Sequence, residues 1–209
     1  MQRLKRILLL FAVMSIFACA NSLGQAPASP VAATQKPSGQ MLPAERVAAQ
    51  QEAMAKLSWM DGIWRGSGSM IDNPGETPRQ MRETLRIGSF LDGTVKIVEI
   101  RGYLSDGKLG FHALNMISFN ALTKQFEMTA RAGGLSGVFP FRLADSGTGY
   151  LWSLGSGDGI HYTGTLKDGV WHELGESGGK SRPTTWMSEM TVRRVSATEW
   201  PEAGAILPE

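Results

Sequence analysis

Two glutamates stand where a carboxylate is costly. In Met81-Arg82-Glu83-Thr84-Leu85-Arg86-Ile87 the odd positions are apolar except Glu83 and the even ones are polar. In a strand, whose side chains alternate between faces, Glu83 then shares the apolar face. The second is Glu173. A two-residue turn at Asp168-Gly169 pairs Leu166 with Trp171 and sets Ile160, Tyr162, Leu166, Trp171 and Glu173 on one face. His161, Thr163, Thr165, His172, Leu174 and Glu176 take the other. The first set is bulkier and more apolar, so it is read as inward. An ionised carboxylate in an apolar interior costs several kcal/mol unless it is paired or wet. Arg101, in phase with Val95, Ile97 and Glu99, is the nearest candidate partner for Glu83. A carboxyl kept dry has a raised pKa and suits general-base work, whereas one in a wet pocket suits ligand binding.

Other chemistry-bearing patterns are weaker. Gly175-Glu176-Ser177-Gly178-Gly179 matches the nucleophile elbow of serine hydrolases, but that motif needs a strand, a strained turn and a helix. Here the serine leads into Gly-Gly-Lys-Ser-Arg-Pro, a loop, in a chain with 25 glycines. Along one strand His161 faces Glu176, and His172 lies four positions further on, roughly 13 Å away, too far to share a zinc ion. His112 is left as a lone haem or metal ligand, or as an ordinary outward histidine. No calcium loop, phosphate loop or dinucleotide fingerprint is present, and no cofactor is expected. Trp64, Trp152, Trp171, Trp186 and Trp200 are many indoles for one small domain. They serve as barrel filler or, with a few polar groups, line a small-ligand pocket.

Short β-prone runs position these residues. From Trp59 onward they alternate with Asp92-Gly93, Asp106-Gly107, Asp158-Gly159 and Asp168-Gly169, dipeptides that favour tight hairpins. The spacing predicts ten strands near 62–70, 79–89, 94–103, 109–119, 124–131, 136–143, 149–154, 159–166, 170–176 and 184–194. So many sequential antiparallel strands favour closure into an all-β up-and-down barrel. Nothing alternates strand with helix as a parallel α/β fold would. Before the barrel, Pro43 and the Ala-, Glu- and Gln-rich run to Leu57 predict a short helix over 43–57, lying against the barrel mouth or projecting from it. Its apolar stripe is Val47, Met54 and Leu57.

Residues 20–42, rich in Ala, Pro, Ser, Gln and Gly, read as a disordered tether. Residues 1–19 read as a signal segment: a basic start, an apolar run from Ile7 to Met14, then small residues. The only cysteine, Cys19, closes Ile16-Phe17-Ala18-Cys19, which resembles a bacterial lipobox and implies cleavage before Cys19 and lipid attachment to its sulfur. Ordinary cleavage after Ala18-Cys19-Ala20 is the alternative. With Arg3, Lys5 and Arg6 removed, 18 of the 21 bases face 19 acids. No basic stripe remains to bind nucleic acid, and the membrane is expected to be reached only through a lipid at Cys19.

The residues Leu57-Ser58-Trp59-Met60-Asp61-Gly62-Ile63-Trp64-Arg65-Gly66-Ser67-Gly68 resemble the opening of bacterial lipocalin-like barrels. Phe90 to Val95, Ile117 to Lys124 and Met190 to Pro201 are similar to segments of one such group, the domain of unknown function 1579 family. The resemblance spans 57 to about 205 and implies a calycin-type barrel of about ten strands over 58–205. It implies no agreed activity, so no catalytic residue is carried over. A neighbouring barrel family, the nitrobindins, holds haem through a histidine near the chain's end, and this sequence has none after His172.

These readings give an exported protein, periplasmic or lipid-anchored, whose barrel binds a small apolar or amphipathic molecule. Trp64, Glu83, Arg101, Trp152, Tyr162, Trp171 and Glu173 are its expected interior contacts. An enzyme with Glu83 or Glu173 as general base and a structural barrel with a filled interior remain the alternatives. If the lipobox reading holds, Cys19→Ser releases the protein from membranes on fractionation. An unchanged distribution with a mature N-terminus at Asn21 would refute it.

Overall fold

Pro43 sits in the first turn of a helix, α1 (Pro43–Ala55), where its missing N–H costs nothing. The Glu45 carboxylate accepts the Leu42 N–H at 2.8 Å and so helps to start the helix. The computed structural model describes residues 41–179 and 181–202. The expected signal segment, Cys19 and all of the expected tether except its last two residues lie outside them. Helix α1 ends two residues earlier than its composition predicts. The chain then tightens into a 3₁₀ turn, Ser58–Met60, whose Met60 is buried together with Met54 and Leu57. Val47, expected on the apolar stripe, is exposed.

The ten strands follow: β1 (Gly62–Met70), β2 (Arg79–Phe90), β3 (Val95–Tyr103), β4 (Leu109–Asn120), β5 (Gln125–Ala132), β6 (Leu135–Leu143), β7 (Gly149–Leu154), β8 (Ile160–Lys167), β9 (Val170–Ser177) and β10 (Thr185–Ser196). Each pairs antiparallel with its chain neighbours, and β10 pairs with β1 to close the barrel. Every expected strand is present, with ends displaced by two residues or fewer. At Asp168-Gly169 both residues take positive φ, 50° and 73°, as a two-residue hairpin turn of matching twist demands. Leu166 pairs with Trp171 as the turn predicts. In the 155–159 turn the left-handed positions fall on Gly155 and Gly157, not on the expected Asp158-Gly159.

The β2–β3, β4–β5, β6–β7 and β8–β9 turns lie at one end of the barrel, where β1 begins. Here α1 and the 3₁₀ turn act as a plug. Gln50 donates to the Phe119 carbonyl at 2.9 Å and Gln51 to that of Asp92 at 2.8 Å, fixing α1 to the end of β4 and to the β2–β3 turn. Met54, Leu57 and Met60 join Trp64, Leu85, Ile87, Ile117, Phe141, Trp171 and Val192 in one apolar cluster that forms a floor. Burying each plug side chain contributes about 1.5–3 kcal/mol. Trp64 donates its indole N–H to the Met60 carbonyl at 2.8 Å and meets Trp171 edge-on at 5.3 Å. Arg194 completes the seal by donating to the Trp59 carbonyl and lying over the Trp64 ring.

The floor also holds a buried charge that sequence phase did not reveal. Lys96 is 1% exposed, and its ammonium meets Asp61, between the plug and β1, and Ser89 at 3.1 Å. Removing Asp61 strands that ammonium. Asp61→Ala is therefore expected to cost roughly 3–5 kcal/mol in a urea melt, and combining it with Lys96→Met to recover most of the loss. Equal stability of Asp61→Ala and wild type would show that the pair does not hold the plug.

Candidate functional site

Above the floor the barrel is not filled. A cavity of about 920 Å³ occupies the other half, at the end that carries the β1–β2, β3–β4, β5–β6, β7–β8 and β9–β10 connections. Its wall is mainly apolar: Leu85, Val98, Ile100, Ile117, Met128, Ala130, Phe139 and Phe141 among others. A smaller crevice of about 400 Å³ lies between α1 and the β4–β5 turn, but its Arg46 and Gln50 already bond main-chain carbonyls.

Both expected glutamates reach the cavity. Glu83 arrives by the alternation of β2, with Met81, Leu85 and Ile87 buried around it. Space for it comes from β1, where Gly68 has no side chain and a Cβ would overlap the Glu83 carboxylate. Glu173 arrives from β9, paired with Met190 of β10 and Gly164 of β8. Tyr150 donates its hydroxyl to Glu173 Oε2 at 2.5 Å, and Trp152 donates its indole N–H to the same oxygen at 3.3 Å. Tyr162 stacks flat on Trp152, with ring centroids 4.0 Å apart and planes 4° from parallel. The Tyr150 ring contacts Phe141, Trp59 and Trp171 and so ties this polar cluster to the floor.

The two carboxyls differ in support. Among the described residues no hydrogen bond or ion pair reaches Glu83. Burial first, and then the Glu173 carboxylate, push its pKa up to about 7. Burial also raises Glu173, against the opposing hydrogen bonds from Tyr150 and Trp152. Glu173 keeps some accessible surface, but that surface faces the cavity, so burial still dominates. Burial and the Glu173 charge hold the Tyr150 proton on, which keeps this phenol a donor. The same causes push Tyr162 up to about 12.

The expected interior set therefore needs two corrections, and the reading of the tryptophans as filler or pocket lining a third. Arg101 is outside: it pairs with Thr84 and His112, and its guanidinium lies 2.7 Å from Glu99, which also binds Arg86 at 2.8 Å. The inward side of β3 carries Lys96, Val98 and Ile100. Because β3 is apolar on both faces, alternation could not choose between them. Trp64 is interior but lies in the floor and is not part of the cavity wall. Trp186, opposite Glu176, and Trp200, beneath the Arg86 guanidinium at 4.3 Å, are not interior filler either. Trp152, Tyr162, Trp171, Glu83 and Glu173 all line the cavity.

Sequence phase missed Tyr150, although Gly149-Tyr150-Leu151-Trp152 places it in step with Trp152. Ser177 ends β9 and leads to Gly178 in a loop, without the helix that a nucleophile elbow needs. Among the described residues no group of His, Cys, Asp and Glu is arranged to hold a metal ion.

The fold and its interior define a closed ten-stranded antiparallel barrel with one sealed end and one open cavity. Among solved structures it is similar to Rv2717c from M. tuberculosis, with a TM-score of 0.51 and 10% sequence identity, covering 68% of this chain and 97% of that one. At that identity the likeness concerns the fold alone. No protein-family model matches the chain, and no curated protein matches its sequence.

Glu83 makes stability depend on pH in a definite direction. A glutamate in the unfolded chain titrates near 4.5 and this one near 7, so the folded state holds the proton across that window. Stability from this group is fully present below the lower value and is lost as pH rises through the upper one, by about 3 kcal/mol in total. Between pH 5 and pH 8, urea melts should show a clearly larger loss in wild type than in Glu83→Gln, where Glu173 alone of the two carboxyls still contributes, and Glu83→Gln becomes the more stable protein at pH 8. A loss of stability at both pH values would instead reveal a partner for Glu83.

Proposed function

We propose that the protein is a non-enzymatic binder of a small apolar or amphipathic molecule, held in the barrel cavity. The observation that carries this reading is the cavity itself, with an apolar wall and two carboxyls turned into it. Its volume falls in the range of pockets that enclose small ligands. Filling such a space with side chains would stabilise the fold, so an open one carries a cost that a binding role explains. We further propose that the protein works in the cell envelope, delivered by the signal segment and anchored at Cys19. The lipobox-like tetrapeptide supports this, and the motifs shared with the domain of unknown function 1579 family support a place beside those barrels.

One observation favours a second reading. Among the described residues Glu83 has no partner, and its pKa is near neutrality, the properties of a general base in a dry site. Under that reading the ligand is a substrate that loses a proton to Glu83.

Ala130 lies on the cavity wall, and a larger side chain there would enter open space. Wild type should bind a neutral, environment-sensitive fluorophore saturably, one per chain, and Ala130→Trp should weaken that binding by about tenfold or more with its fold retained. Unchanged affinity in a folded Ala130→Trp would move the site out of the barrel.

A further inference from the structure

We propose that the cavity selects amphiphiles bearing a protonated amine, with the ammonium set between Glu83 and Glu173 and the apolar body along the wall. This inference rests on the cavity-binding reading and deepens it. It starts from the charges that face the cavity. The ionisable residues on its lining are Asp72, Arg79, Glu83, Glu173 and Glu189, besides the tyrosines. Arg79 and Asp72 neutralise each other at the mouth, 2.7 Å apart, and Glu189 meets His172 at 2.7 Å. Lys96, the buried base among the described residues, belongs to Asp61 in the floor. Among the described residues, two carboxyls are left with no base to answer them.

The hydrogen-bond inventory points the same way. A carboxylate offers about four acceptor sites. Both donors that reach Glu173 converge on Oε2, and none reaches Glu83 among the described residues. The cavity therefore presents acceptors that lack donors. An ammonium brings three N–H donors and one positive charge, which answers both deficits at once. A hydroxyl brings one donor and no charge. A fatty acid would bring a third carboxyl into the same low-dielectric space, where like charges repel strongly. Trp152 and Tyr162 add aromatic surface beside Glu173, which also favours a cation.

Displacement of N-phenyl-1-naphthylamine, a neutral fluorophore, tests this at pH 7.5 with three ligands of equal length. Decylamine should displace the fluorophore at about tenfold lower concentration than decanol, and decanoate should be the weakest of the three. In Glu83→Gln and in Glu173→Gln the ratio of amine to alcohol affinity should fall toward one. Decanoate matching or exceeding decylamine in wild type overturns the inference while leaving the cavity as a binding site, and it needs no variant to fold. An amine preference undiminished in both variants overturns it as well. If the fluorophore does not bind at all, the cavity reading and this inference fail together.

Discussion

A barrel of ten strands is wider than its own inward side chains can fill, and most of this structure follows from that constraint. Eight strands already enclose a space that side chains just fill, and the diameter grows with strand number. The chain meets the excess width unevenly. At one end it imports filler from outside the sheet: Met54, Leu57 and Met60, carried on α1 and the 3₁₀ turn. At the other end no described residue from outside the sheet and its connections fills the space. The floor is thus a packed core and the upper half a cavity, and the boundary between them runs through Tyr150 and Trp171, which belong to both.

The two halves treat buried charge in opposite ways. In the floor, Lys96 has a counter-charge in Asp61 and a hydroxyl acceptor in Ser89. In the cavity, among the described residues, Glu173 has two donors but no cation, and Glu83 has neither. A core under selection for stability alone would not keep such carboxyls, because apolar groups of similar shape are at least as stable there. Where local rules of satisfaction fail while the surrounding structure obeys them, function is the usual physical explanation.

How far this was legible in the residues depended on the contrast between strand faces. Strand β2 alternates cleanly, so Glu83 could be placed inside from sequence alone. The Asp168-Gly169 turn fixes its own register, so Tyr162, Trp171 and Glu173 could be placed as well. Strand β3 has Val95 and Ile97 on one face and Val98 and Ile100 on the other. Its phase was therefore illegible, and with it the true positions of Arg101 and Lys96. Arg101 belongs to an outer ladder with Arg86, Glu99 and His112, which is set by contacts between strands and has no signature along any one of them. The plug was legible as a helix but not as a stopper, because helical propensity says nothing about where Met54, Leu57 and Met60 come to rest.

The stopper has a kinetic meaning. A barrel open at both ends is a conduit, through which a molecule can enter on one side and leave on the other. This one is a vessel. Whatever enters must turn back through the same rim of connections, so loading and unloading share one path and one barrier. A second molecule cannot push the first onward. Under the proposed binding role, occupants would be exchanged only by departure and replacement, and a guest held against the aromatic base would stand in the way of any that followed.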